Sequence, residues 1–153
     1  MQERRFPEFE RFADEVARLR GRMRALFSDA RAESGLGEME LTVLTATVNA
    51  ATAPTVAQIG RSLGHPRQVV QRAANRLVEL GLIELTDNPG HKRASLLVAT
   101  PAGEKLKAED RDRASTITKA VLQRIATEEF AEAADRLAAI RAEIEDYLRE
   151  HDQ

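Results

Sequence analysis

The sequence predicts a mainly α-helical chain interrupted once by a small β-hairpin, and three observations carry that prediction. Apolar stripes at helical spacing run through both ends of the chain. A short helix, a turn and a longer Arg-bearing helix fill the stretch from Thr55 to Gly81. Two β-type runs, Leu82 to Thr86 and Ser95 to Ala99, then flank the turn signal Asp87-Asn88-Pro89-Gly90.

The first element is predicted as one long amphipathic helix from about Phe6 to Ala32. Phe9, Phe12, Val16, Leu19, Met23 and Leu26 alternate at spacings of three and four. Ser34-Gly35-Leu36-Gly37 breaks it, and a second helix, roughly Glu38 to Ala50, carries Met39, Leu41, Val43, Leu44 and Val48. Thr55-Val56-Ala57-Gln58 forms a capping box that opens the third helix. Ile59 and Leu63 are its apolar side, and Gly64 is its C-terminal cap. Pro66 suits the first position of the fourth helix, which ends at Gly81. After the hairpin, Thr100-Pro101 starts another helix. The remainder favours helix to about Glu150, with a break near Ala126 to Glu128.

Both end segments carry more apolar helix surface than one small lobe can cover, which predicts a two-fold dimer built from both chain ends. Three segments follow: an N-terminal dimerisation helix over 1–35, a helix-turn-helix with a hairpin wing over 36–100, and C-terminal dimerisation helices over 101–153.

With 42% hydrophobic and 31% charged residues, the 153-residue chain is globular rather than disordered. No apolar run approaches the roughly 20 residues that span a bilayer, and the first ten residues lack a secretory apolar region. The expected location is therefore the cytoplasm, with no membrane partner. The chain has no cysteine, which excludes disulfides, thiolate metal sites and thiol redox sensing.

The net charge of −2 argues weakly against nucleic acid, but its distribution argues the other way. From Leu41 to Val78 there is no Asp or Glu, while Arg61, Arg67, Arg72 and Arg76 all fall there. A positive face on an acidic body suits phosphate contact.

At about 100° per residue, Val70, Ala73, Ala74 and Leu77 share the inward face of the fourth helix. Gln68, Gln71, Arg72 and Asn75 fall opposite, with Arg67 and Arg76 on the flanks. Gln and Asn pair bidentately with adenine, and Arg with guanine, in the major groove of a duplex. Arg67, Gln68 and Gln71 are the base-edge candidates, with Asn75 on the same face; Arg72 and Arg76 are phosphate candidates, although Arg76 is also placed to serve as an ion-pair partner. At the hairpin, Arg93 directly precedes the strand and is the candidate for a narrow A·T-rich minor groove, and Lys92 for a nearby phosphate. The expected partner is double-stranded DNA.

Other chemistries find little support. There is no phosphate loop and no nucleophile elbow. His65, His91 and His151 are scattered without metal-ligand spacing, and the acidic pairs lie on polar helix faces. No enzyme activity, metal or cofactor is expected. The remaining alternative to a DNA reader is a winged-helix dimer that docks another protein, and steep salt dependence of duplex binding discriminates the two.

Four segments together resemble the MarR family of winged helix-turn-helix transcriptional regulators, over nearly the whole chain. Leu36 to Leu44 is similar to the entry of the family's second helix. Ile59-Gly60-Arg61-Ser62-Leu63-Gly64 resembles its LAxxLG segment, Arg72 to Ile83 its RxxxxLxxxGLI segment, and Leu97 to Gly103 its LTxxG junction. The resemblance implies a homodimer with interlocked terminal helices, two winged lobes on a pseudo-palindromic operator, and a repressor released by a small aromatic or phenolic ligand. A constitutive, ligand-independent binder also fits the sequence.

It also implies a ligand pocket where the dimer helices meet the lobe, near Met23, Phe27, Leu41 and Leu44, each read here as core. Two departures stand out. The family wing commonly reads Asp-x-Arg, and here His91-Lys92-Arg93 keeps the Arg without the carboxylate. Gly60 replaces the usual Ala, at about 1 kcal/mol of helix propensity, which allows closer packing against the fourth helix.

Overall fold

A computed structural model describes residues 6–151. Seven helices and one hairpin follow in order among the described residues: α1 (Pro7–Leu26), α2 (Ser28–Ala32), α3 (Glu38–Asn49), α4 (Val56–Leu63), α5 (Arg67–Glu79), β1 (Ile83–Thr86), β2 (Leu96–Ala99), α6 (Pro101–Leu122) and α7 (Thr127–His151). They form two compact units, one ending at Ala114 and one beginning at Ser115. The first holds the helix-turn-helix and wing; the described residues of the second are helical apart from the short break before α7.

The core of the first unit is built from inward faces of α3, α4, α5 and the hairpin. Val43, Leu44, Val56, Ile59, Val70, Ala73, Ala74, Leu77, Leu82, Ile83 and Leu97 form one buried cluster. The inward face of α5 is the one that the 100° spacing predicts. Its four members are small or aliphatic, so α5 lies close against α3 and α4 while its other side stays in water.

Local chemistry sets the turns that hold α4 and α5 at their angle. Thr55 Oγ1 accepts from the Gln58 N–H at 3.2 Å, and Gln58 Oε1 accepts from the Thr55 N–H at 2.8 Å, which is the reciprocal cap predicted. Gly64 ends α4 at φ +67°, a left-handed conformation that favours glycine. A Cβ on Gly60 would sit 2.9 Å from the His65 carbonyl oxygen and 3.8 Å from Val70 Cγ2. The glycine therefore trades helix propensity for a tight turn between the two helices.

The hairpin is antiparallel, with Ile83 opposite Ala99 and Thr86 opposite Leu96. The Leu97 N–H donates to the Pro54 carbonyl at 2.8 Å, tying the wing to the segment that leads into α4. Thr100 Oγ1 donates to the Gly81 carbonyl at 2.6 Å and accepts from the Gly103 N–H at 3.2 Å, so one hydroxyl both caps α6 and clamps the turn before β1.

The first helix does not run unbroken to Ala32. It stops at Leu26, Phe27 leaves the helical conformation, and a five-residue helix follows. The turn brings Ala30 to 6% exposure, whereas α1 buries no residue at all. Pro66 caps α5 rather than starting it, because its ψ of 138° is extended while its carbonyl accepts from the N–H groups of Val69 and Val70. The helix itself stops at Glu79, and Gly81 at φ +68° completes the turn. The break between α6 and α7 falls at residues 123–126, where the Gln123 and Ile125 N–H groups still bond back to Lys119 and Val121.

Candidate nucleic-acid interface

The outward side of α5 carries Arg67, Gln68, Arg72, Asn75 and Arg76 exposed, with Gln71 half-buried between them. The burial of Val70, Ala73, Ala74 and Leu77 fixes this orientation, since rotating the helix would drive four aliphatic side chains into water at ~1 kcal/mol or more each. Gln71 Nε2 donates to Asn75 Oδ1 at 2.9 Å. Arg76 Nη1 reaches Glu79 Oε2 at 3.1 Å, an exposed pair at the far end of the helix. Such a pair contributes little stability but gives Arg76 a carboxylate neighbour.

The loop between the strands is built from two consecutive turns. Asn88 Oδ1 accepts from the Gly90 N–H at 3.0 Å, the Asn88 carbonyl from His91 at 3.1 Å, and the His91 carbonyl from Ala94 at 3.1 Å. His91, Lys92 and Arg93 are exposed along it. In place of the wing carboxylate, His91 Nδ1 faces the Arg93 backbone N–H at 3.4 Å, a long contact to the main chain.

The structure brings some of the sequence candidates together and separates others. Arg67, Gln71 and Arg93 line one small cavity of about 130 Å³ between α5 and the hairpin. Arg67 and Arg93 also line an adjoining cleft of about 510 Å³, with Arg61 and His91. Arg72 instead borders a cleft of about 340 Å³ with Glu38 and Glu40 at the start of α3. Gln68, Asn75, Arg76 and Lys92 line none of these three clefts.

Arg61 was not among the candidate contacts. It belongs to the acid-free stretch, which is the signal that contained it, but α4 alone gives no reason to turn it toward the wing.

A larger groove of about 620 Å³ lies between α3 and α4, lined among others by Leu41, Thr45, Ile59, Leu63 and Lys107. Of the four residues placed near a ligand pocket, Leu41 lines it and Leu44 is fully buried in the core. Met23 is 52% exposed and Phe27 half-buried, and neither lines the groove. Among the described residues no cluster of His, Asp or Glu is placed to hold a metal ion, and no helix is long and apolar enough to cross a membrane.

Comparison with known proteins places this arrangement. A model described as "MarR family" matches residues 34–94, from the loop before α3 to the last turn of the wing. An uncharacterized protein of Mycobacterium tuberculosis is 36% identical over 110 residues, covering 72% of this chain and 76% of that protein. Three solved structures share the fold. CouR of Rhodococcus jostii RHA1, bound to p-coumaroyl-CoA, gives a TM-score of 0.74 at 20% identity, over 84% of this chain and 90% of that one. A MarR-family transcriptional regulator from Rhodococcus sp. RHA1 gives 0.73 at 20% identity, over 90% and 96%. BpsR of Bordetella bronchiseptica, whose DNA binding is regulated by 6-hydroxynicotinic acid, gives 0.70 at 21% identity, over 86% and 98%. The family model spans the helix-turn-helix and wing, and over residues 34–94 this chain belongs to the MarR family of winged helix-turn-helix transcriptional regulators, in a fold it shares with these solved structures.

Proposed function

We propose that the chain is a homodimeric repressor that reads a pseudo-palindromic operator in double-stranded DNA and is released from it by a small aromatic or phenolic ligand. The observation that carries the DNA reading is the outward face of α5, which bears only amides and guanidiniums from Arg67 to Arg76, beside a wing with His91, Lys92 and Arg93. In this reading α5 enters the major groove. Gln68, Gln71 and Asn75 meet base edges, Arg72 and Arg76 reach backbone phosphates, and Arg67 lies at the helix start where either contact is within reach. Lys92 meets a phosphate and Arg93 the minor groove.

Dimerisation is supported by each unit separately. In the first, Phe9, Val16, Leu19, Met23 and Leu26 on α1 are 40% exposed or more; in the second, so are Phe130, Leu137, Ile140, Ile144 and Leu148 on α7. Release by a ligand is supported by the ligands of CouR and BpsR, and by a groove large enough for a small molecule beside α4, the helix that braces α5.

The test is selection from a random duplex library followed by affinity measurement across a salt series. An inverted repeat with half-site centres about 10 base pairs apart is the expected outcome. No enrichment, with weak binding at every salt concentration, would overturn the reading.

A further inference from the structure

We propose that Arg61, in the last turn of α4, is a phosphate-binding residue that acts with Arg67 on the sugar–phosphate strand dividing the major groove from the minor groove, while Arg93 closes the far lip of the same cleft. The inference rests on the DNA-binding reading above and adds to it a residue that reading leaves out.

Three arginines from three separate elements line one cleft of about 510 Å³: Arg61 from α4, Arg67 from the first position of α5, and Arg93 from the wing loop. No Asp or Glu lines it; its other polar residues are Thr55, Gln58, Asn88 and His91. Among the described residues none of the three guanidiniums is ion-paired. The other two arginines of α5 differ. Arg76 pairs with Glu79, and Arg72, though not ion-paired, borders a cleft that two carboxylates also line, Glu38 (itself paired with Arg24) and Glu40. Like charges gathered without a counter-ion repel one another, and an anion in their midst relieves that repulsion.

Duplex geometry supplies the anion. With α5 in the major groove and the wing against the adjacent minor groove, the strand between the grooves must pass between α5 and the wing, where the cleft lies. A guanidinium offers a phosphate two parallel N–H donors, and two of them from different helices fix its position as well as its charge. Arg67 is thereby assigned to the backbone, and base reading shifts along α5 to Gln68, Gln71 and Asn75. The assignment also explains the tight α4–α5 turn at Gly60, because Arg61 and Arg67 flank that turn.

The experiment uses the whole chain on a set of 30-base-pair duplexes, the selected operator and its single-base-pair variants, with affinity measured across a salt series and phosphates mapped by ethylation interference. Arg61→Ala should bind about tenfold more weakly per half-site at moderate salt, the loss of one charge-assisted bond from each protomer. Its slope of log K against log salt should fall by about 1 per half-site, with base preference unchanged. One interference signal on the strand between the grooves should vanish. Arg61→Lys should keep the slope, and Arg136→Ala on α7 should behave as wild type.

A wild-type slope in Arg61→Ala would overturn the proposal, as would a changed base preference at unchanged slope. Absence of any salt-dependent duplex binding by the wild type would overturn the DNA reading itself, a result distinguishable from either.

Discussion

Gln71 donates its side-chain amide to Asn75 Oδ1 at 2.9 Å, one turn further along α5. The bond does not use Gln71 Oε1, an acceptor, or the Asn75 NH₂, a donor. An adenine in the major groove presents the complementary pair, an N7 acceptor and an N6 donor. Gln71→Ala should relax preference at one base position, because it removes both the acceptor and the partner that orients Asn75. The double variant with Asn75→Ala should lose less than the two single losses added, with a coupling of about 0.5–1 kcal/mol in a double-mutant cycle on the selected operator. A uniform loss of affinity across all sequences would reassign the pair to backbone positioning.

Arg93 is tied to the wing by its own backbone, through the His91 and Ala94 turns rather than through a side-chain carboxylate. Its guanidinium is free to follow the electrostatic potential, which is most negative in a narrow A·T-rich minor groove. Arg93→Ala should weaken operator binding most on duplexes with A·T-rich flanks. Affinities on A·T-rich and G·C-rich flanking sequences provide the check, and an equal loss on both would remove the minor-groove role.

Much of this site is legible in the sequence because it depends on periodicity and on local turn chemistry. The inward face of α5, the Thr55–Gln58 cap, the left-handed Gly64 and the hairpin all follow from neighbours within a few residues. What escapes is set by contacts across the chain. Nothing near Phe27 signals that the first helix must turn to bury Ala30, and nothing in α4 signals that Arg61 shares a cleft with Arg93, which lies 32 residues further on. The acid-free stretch marks which cations matter as a group; helix spacing alone gives Arg76 its carboxylate at Glu79, but only tertiary packing sets Arg72 in a cleft with Glu38 and Glu40 and Arg61 in one with Arg67 and Arg93.

Two glycines make opposite stability predictions. A Cβ on Gly103 would collide with the Leu82 carbonyl oxygen and lie 3.3 Å from Leu44 Cδ1, so α6 approaches the start of β1 too closely for any side chain. Gly103→Ala should cost about 3 kcal/mol, the upper end of overpacking effects. A Cβ on Gly21, mid-way along α1, meets nothing within 4 Å. Gly21→Ala should therefore gain about 0.5–1 kcal/mol of helix propensity. Urea denaturation at one fixed protein concentration measures both, and a neutral Gly103→Ala would show that the α6 start can shift.

Asp110 is 7% exposed and receives Lys107 Nζ at 2.7 Å, with both side chains largely withdrawn from water. Removing one partner leaves the other charge buried without its counter-ion, which costs more than the pair contributes. Asp110→Ala should destabilise the protein by about 3 kcal/mol, while combining it with Lys107→Met should recover most of the loss. The comparison separates a desolvated pair from a surface one. Equal stability of Asp110→Ala and wild type in denaturant would place the pair among surface contacts.

The α7 stripe bears on assembly most directly. Leu137, Ile140, Ile144 and Leu148 follow one another at spacings of three and four, and all are 40% exposed or more. Such a seam within a helix that otherwise carries charge is the pattern that buries against another helix. Ile140→Glu places a carboxylate in the middle of it, where burial without a partner costs several kcal/mol. Sedimentation should find the wild type as a dimer and Ile140→Glu shifted toward monomer. A monomer engages one half-site only, so its affinity for the inverted repeat should approach that of a single half-site, losing the gain from linked binding. A wild type that sediments as a monomer at every concentration tested, yet binds the repeat tightly, would require another account of how two half-sites are read.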